Sequence, residues 1–177
     1  GKQDFGAGLY CDGSSPLIID CIFEGNNVEE RGAALFCDGS SPLIIGCTFR
    51  NNNAIKWGGA AYATGGASPS FDTCLFESNA ANNGAGLGVF NNEGGSVSLV
   101  DCQFLTNTAD SGGGAIKGHG STGLGYGVLS LSWCYFESNT ASVGGAIRLQ
   151  NGADGGLTTI EYCRFKTNIA TSVNPNG

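Results

Sequence analysis

A short motif, Cys-x-Phe-x-x-Asn, recurs six times along the chain and constrains its fold more tightly than any other feature. The copies are Cys21/Phe23/Asn26, Cys47/Phe49/Asn52, Cys74/Phe76/Asn79, Cys102/Phe104/Asn107, Cys134/Phe136/Asn139 and Cys163/Phe165/Asn168, spaced 26, 27, 28, 32 and 29 residues apart. A second block of small residues alternates with it: Gly6-Ala7-Gly8-Leu9, Gly32-Ala33-Ala34-Leu35, Gly58-Gly59-Ala60-Ala61, Gly84-Ala85-Gly86-Leu87, Gly113-Gly114-Ala115-Ile116 and Gly144-Gly145-Ala146-Ile147. In the first two repeats the connection is also duplicated, since Cys11 to Ile19 and Cys37 to Ile45 both read CDGSSPLII.

A period near 28 residues fits a helical solenoid, a propeller blade or one coil of a β-solenoid, and residue chemistry separates them. The 177 residues include 31 Gly, about 18% against a usual value of roughly 7%. Gly costs about 1 kcal/mol per helix-interior position relative to Ala, so helical repeats are excluded. Propeller blades need about 40 residues or more. The hydrophobic content of 41% is too high for a disordered linker, and no Gly-X-Y period is present. The reading is an all-β chain: a single-stranded, right-handed parallel β-helix (β-solenoid) of about six coils, forming one domain over residues 1–177. Each coil is expected to hold two or three short strands, stacked about 4.8 Å from the next.

Stacking turns equivalent positions into columns. Three residues before each Cys stand Ile18, Ile44, Phe71, Leu99, Leu131 and Ile160, and these, with the Cys and Phe columns, are expected to face the core. The mixed pair of residues between them and the Cys reads as a corner. In the Gly-Ala block the fourth residue (Leu9, Leu35, Ala61, Leu87, Ile116, Ile147) is expected inside. The fifth (Tyr10, Phe36, Tyr62, Gly88, Lys117, Arg148) is expected outside, following the period of two of a strand. The Asn column marks a recurring turn, because Asn tolerates a left-handed backbone and its amides are able to bond between coils. After each Phe the column reads Glu24, Arg50, Glu77, Leu105, Glu137 and Lys166, which predicts cross-coil ion pairs of modest value.

The alternation of Gly-Gly-Ala-Ile (Gly113 to Ile116, Gly144 to Ile147) with Phe-x-x-Asn resembles the repeats of polymorphic outer membrane proteins. The fuller S-S-P-x-I-x-x-C-x-F-x-x-N pattern is similar to bacterial right-handed parallel β-helix surface and secreted proteins. The resemblance spans nearly the whole chain and implies extracellular or cell-surface exposure. Roles within that group range from adhesins to envelope proteins, and the resemblance carries no catalytic residue.

Candidate sites are few. Gly118-His119-Gly120 is similar to an element of pectin hydrolases of this fold, but Asn107-Thr108-Ala109-Asp110 departs from their Asn-Thr-Asp element and no Asp-Asp pair is present. His119 is expected in a projecting Gly-rich loop. Lys117 and Arg148 are vertical neighbours without an acidic cluster and read as solubilising charges. A match of Gly118-x-Gly120-x-x-Gly123 to a dinucleotide fingerprint lacks the following helix. Asp12 and Asp38 stack but make a weak calcium site. No catalytic or metal residue and no cofactor is expected. The surface aromatics Tyr10, Phe36 and Tyr62, and Trp133, Tyr135 and Tyr162 near the other end, are the candidate binding or lateral-contact surface.

The eight Cys leave two readings open. Stacked positions allow disulfides such as Cys11–Cys37, Cys21–Cys47, Cys74–Cys102 and Cys134–Cys163, and equally allow buried thiols. With 8 basic against 15 acidic residues and a net charge of −7, there is no footprint for nucleic acid, and no apolar run reaches the length of a membrane span. The expected function is a non-enzymatic extracellular structural or adhesive β-helix that stacks head to tail through its coil ends. Glycans or host and neighbour-cell proteins are the possible partners. A carbohydrate-binding or carbohydrate-active β-helix is the alternative.

Overall fold

The computed structural model describes residues 5–90, 93–120, 127–150 and 157–172. Among the described residues every coil holds four short strands, more than the two or three expected. In the first coil these are β1 (Leu9–Asp12), β2 (Leu17–Ile19), β3 (Ile22–Glu24) and β4 (Asn27–Val28). Each pairs in parallel only with its equivalents above and below, giving four six-stranded sheets. Sheet I stacks β1 with Leu35–Asp38, Ala61–Thr64, Leu87–Phe90, Ile116–His119 and Ile147–Gln150. Sheet II stacks β2 with Leu43–Ile45, Ser70–Asp72, Ser96–Val100, Val128–Ser132 and Leu157–Glu161. Sheet III carries the Phe column, and sheet IV begins just after the Asn column. Six rungs are thus joined by about five complete turns of chain. Most of the variable Gly-rich stretch, 121–126, and Gly123 of the fingerprint match lie outside the described residues.

Three corners recur in every coil with a left-handed backbone, and the turns between sheets I and II add left-handed Gly13, Gly39, Gly65, Gly66, Gly94 and Gly127. The first is the residue before each Cys: Asp20, Gly46, Thr73, Asp101, Trp133 and Tyr162 have φ between 50° and 62°. Such values cost bulky or β-branched residues about 1–3 kcal/mol each. Main-chain bonds between coils hold them, as in Thr73 N–H to Val100 O at 2.9 Å and Trp133 N–H to Glu161 O at 3.1 Å. The second corner corrects the reading of the Asn column: the left-handed residues are the preceding Gly25, Asn51, Ser78, Thr106, Ser138 and Thr167, not the ladder Asn. The third is the first Gly of each Gly-Ala block, which is a turn and not strand. At Gly113, φ is +66° and a Cβ would stand 2.1 Å from Ile116 O.

Freed from the corner itself, the Asn side chains stitch the coils together. Asn107 is typical: its backbone N–H donates to Asn139 Oδ1 at 3.0 Å, and its Nδ2 donates to Asn139 Oδ1 and to Phe76 O, each at 2.9 Å. Its own Oδ1 accepts from the backbone N and Nδ2 of Asn79. The same bonds link Asn52 to Asn79 and Asn139 to Asn168, while Asn26 sits at one end with only its donors engaged. Asn52, Asn79, Asn107 and Asn139 are buried, so each amide must be satisfied within the stack.

Inside, Phe23, Phe49, Phe76, Phe104, Phe136 and Phe165 stack face to face, with centroids 4.5–5.0 Å apart. Each such pair contributes about 0.5–1.5 kcal/mol beyond its burial. Ile44, Phe71, Leu99 and Leu131 close the core from sheet II. All eight Cys are free thiols. Cys47, Cys74, Cys102 and Cys134 are buried, and each sulfur lies 3.3–3.7 Å from the carbonyl oxygens two residues back and in the coil above. The stacked disulfides do not form. Cys11 and Cys37 are strand partners facing the core. A hydrogen bond from Cys37 draws the Cys11 thiol down to about 7, and the same bond together with burial pushes the Cys37 thiol up.

Two predictions follow from these columns. Asn107→Ala strands the buried donor of Asn79 and the Phe76 carbonyl, at about 1–3 kcal/mol per orphaned group, whereas Asn26→Ala at the edge of the ladder costs far less. Urea unfolding of both variants checks the difference. A thiol reagent added to the native protein is expected to modify the exposed Cys21 first and the half-buried Cys163 next, with the four central thiols reacting only on unfolding.

Candidate functional site

Directly before each corner Gly stands another column: Phe5, Arg31, Trp57, Asn83, Gly112 and Val143, paired in register from coil to coil. Because the Gly reverses the chain, this column folds back toward the outer face of sheet I. It meets the fifth residues of the Gly-Ala blocks there. Tyr10, Phe36 and Tyr62 do point away from the core, as expected, but two of them are not exposed. Phe36 is 4% and Tyr62 2% accessible, against 41% for Tyr10. Phe5, Tyr10 and Tyr62 rings surround Phe36 at 4.9–5.5 Å, while the Arg31 guanidinium lies 5.4 Å over Tyr62 and Trp57 meets it edge-on at 6.3 Å. These aromatics form a second, outer apolar layer.

In the fourth coil the outward position is Gly88, and a Cβ there would stand 2.8 Å from Tyr62 Cδ2, so the Tyr62 ring lies across it. Arg31, Trp57, Tyr62, Phe90 and His119 line a hollow of about 210 Å³ on this face. His119 corrects the loop expectation: it ends the strand Ile116–His119 and packs between Phe90 at 5.5 Å and Trp57 at 5.6 Å. Lys117 is likewise no solubilising charge. It is buried, donates to Asn83 Oδ1 at 2.6 Å and holds its ammonium 4.5 Å from the Trp57 ring centroid. Arg148 is its strand partner, and the Arg148 side chain lies across Gly112.

This face is positive. Burial first, and then the charge of Arg148, pulls the Lys117 ammonium down to about 8. Burial, then Lys117 and Arg148, lowers His119. Burial pushes the Tyr62 hydroxyl up to about 12, Arg31 opposing it. The surface ion pairs Arg50–Glu24, Lys56–Glu30 and Lys166–Glu137 use other cations. Among the described residues, no carboxylate makes an ion pair with Arg31, Lys117 or Arg148.

The second aromatic group is placed as two features. Trp133 and Tyr162 stack at 4.6 Å on the corner between sheets II and III and are 62% and 72% exposed. Tyr135 stands apart on sheet III, donating to Glu137 Oε2 at 2.7 Å beneath Arg164. Asp12 and Asp38 are strand partners, and among the described residues no group of three or more His, Cys, Asp or Glu is placed to hold a metal ion.

The whole stack matches the family described as right handed beta helix region, over residues 2–174. The chain belongs to that family. No curated protein and no solved structure matches it. Among the described residues, no helix is long and apolar enough to cross a membrane. Arg31, Trp57 and Phe90 were not among the residues expected at a site, although a column counted one residue before each corner Gly contains the first two.

The Lys117 shift sets a pH dependence. Below pH 8 folded and unfolded chains both carry the proton, and the folded state bears the cost of burying it. Above about 8 the folded chain releases the proton while the unfolded lysine, near 10.5, still holds it, so the unfolded state binds more protons and stability rises. Urea unfolding is therefore expected to show wild-type stability rising relative to Lys117→Met between about pH 8 and 10.5. The groups facing the ammonium there are Arg148, His119 and Asn83.

Proposed function

We propose that this chain is a non-enzymatic extracellular structural or adhesive β-helix, which stacks head to tail on a second copy through its coil ends. The observation that supports this most directly is the continuity of every column across such a junction. Among the described residues, Asn26 Oδ1 accepts no hydrogen bond and the Asn168 backbone N–H donates none, so Asn168 meeting Asn26 of another copy extends the ladder in register. Phe165 would then face Phe23, and Lys166 would face Glu24, repeating the Lys166–Glu137 pairing one coil further. The inward residues Ile160 and Phe165 are 43% and 48% exposed in the last coil, although their equivalents in the middle coils are fully buried. Unpaired strand edges of this kind invite strand addition.

The surface location rests on the Gly-Gly-Ala-Ile and Phe-x-x-Asn elements, which are similar to polymorphic outer membrane protein repeats. A second reading, a carbohydrate-binding or carbohydrate-active face, is favoured by the aromatic and cationic hollow on sheet I.

Sedimentation velocity and negative-stain images across a concentration series test the stacking. Wild-type protein is expected to form rods that lengthen with concentration. Phe165→Asp, which places a charge on the open end, is expected to remain monomeric while still unfolding cooperatively. Monomers at every concentration, or rods unaffected by Phe165→Asp, would refute it.

A further inference from the structure

The hollow on the outer face of sheet I combines features that a coil-stacking role does not require. In a chain of net charge −7 the hollow is lined by Arg31, and the Lys117 ammonium lies 4.5 Å from the ring centroid of its Trp57 wall, beside its strand partner Arg148. Arg31 Nε and His119 Nδ1 are buried without a hydrogen-bond partner, and both residues line the hollow. Buried polar atoms are ordinarily satisfied, so the guanidinium of Arg31 is under-partnered at the wall of the hollow, where no carboxylate among the described residues pairs with it. The neutral Asn83 oxygen is the acceptor that Lys117 has in this structure, and it leaves the positive charge uncompensated. The walls are aromatic: Trp57, Tyr62 and Phe90.

We propose that this hollow binds a small ring bearing a carboxylate, with Arg31 facing the charge, Trp57 packing on the ring and the buried Lys117 adding positive potential from beside Trp57. Charge-assisted hydrogen bonds from a guanidinium are stronger than neutral ones, and the planar guanidinium matches a carboxylate. The volume, about 210 Å³, lies below the roughly 300–1,000 Å³ of sites for larger ligands and limits the occupant to one ring. A polymer would enter by a single residue or its end. The larger hollow, about 430 Å³ beside Phe5, Ala7, Val28 and Ile55, has the acid Glu29 in its wall and is chemically unsuited to the same ligand. The carboxylate proposal does not rest on head-to-tail stacking, because the hollow spans the middle coils on one lateral face.

Trp57 and Trp133 are the two tryptophans of the chain. In a Trp133→Phe background the intrinsic emission therefore reports on Trp57 alone. Titration at fixed ionic strength with galacturonate, benzoate and galactose tests the proposal. A saturable change in emission is expected with at least one of the two acids and none with galactose. Galacturonate alone identifies a sugar acid as the source of the carboxylate, and benzoate alone an aromatic acid. Arg31→Gln is expected to weaken binding about tenfold or more, the loss of one hydrogen bond to a charged group. Arg50→Gln, which removes a surface ion pair remote from the hollow, is expected to leave affinity unchanged. Melting curves of each variant establish that it is folded. No saturable response to either acid, an equal response to galactose, or undiminished affinity in folded Arg31→Gln would overturn the assignment.

Discussion

Each coil of this protein must bring the chain back beneath its starting point, one strand spacing of about 4.8 Å along the axis. Everything else in the stack depends on that return. It places like residues on like residues, so a side chain is retained only if it packs or bonds with a copy of itself. Phe does so through face-to-face rings. Asn does so because its amide carries both a donor and an acceptor: the oxygen receives two bonds from one neighbour, and the nitrogen reaches the other neighbour's oxygen and a Phe carbonyl. Cys fits the column as a compact thiol whose hydrogen points at main-chain carbonyls. The corners obey the same constraint, since left-handed residues such as Thr73 and Trp133 are strained individually and are held by bonds to the coils beside them.

A stack with such rules is nearly one-dimensional, its strand pairing joining each coil only to its neighbours. The middle coils are saturated, and the end coils are not. Leu35, Leu87 and Ile116 are fully buried where the equivalent Leu9 and Ile147 are partly exposed. Membership of the right-handed β-helix family accounts for this architecture, but a fold does not confer an activity, which must be argued from the residues that break the pattern.

Those breaks concentrate on one face. The columns outside sheet I change from Tyr10, Phe36 and Tyr62 to Gly88 and then to Lys117 and Arg148. The opposing column changes from Arg31 and Trp57 to Asn83 and Gly112. Aromatic rings give way to a glycine that the Tyr62 ring lies across, and then to cations, and the hollow sits at this break in the columns. The burial of Lys117 against Trp57, with its ammonium lowered to about 8, is a direct consequence of that switch.

The period, the parallel stacking, the inward columns and the amide ladder are legible in the order of residues alone, because each is a property of repeated residues meeting their own copies. The cross-coil charges are legible there too, and Glu24–Arg50 and Glu137–Lys166 do pair. What covers the outer face of sheet I is set by the folded backbone and is not legible in the order of residues. Alternation along a strand gives the direction of Phe36, Tyr62 and Lys117, yet accessibility depends on the left-handed Gly corner, which folds Arg31 and Trp57 back over them. That angle is set by the backbone of residues distant in number from the side chains they bury, and it brings Tyr62 and His119 from surface and loop into one lateral hollow and buries Lys117 beside it.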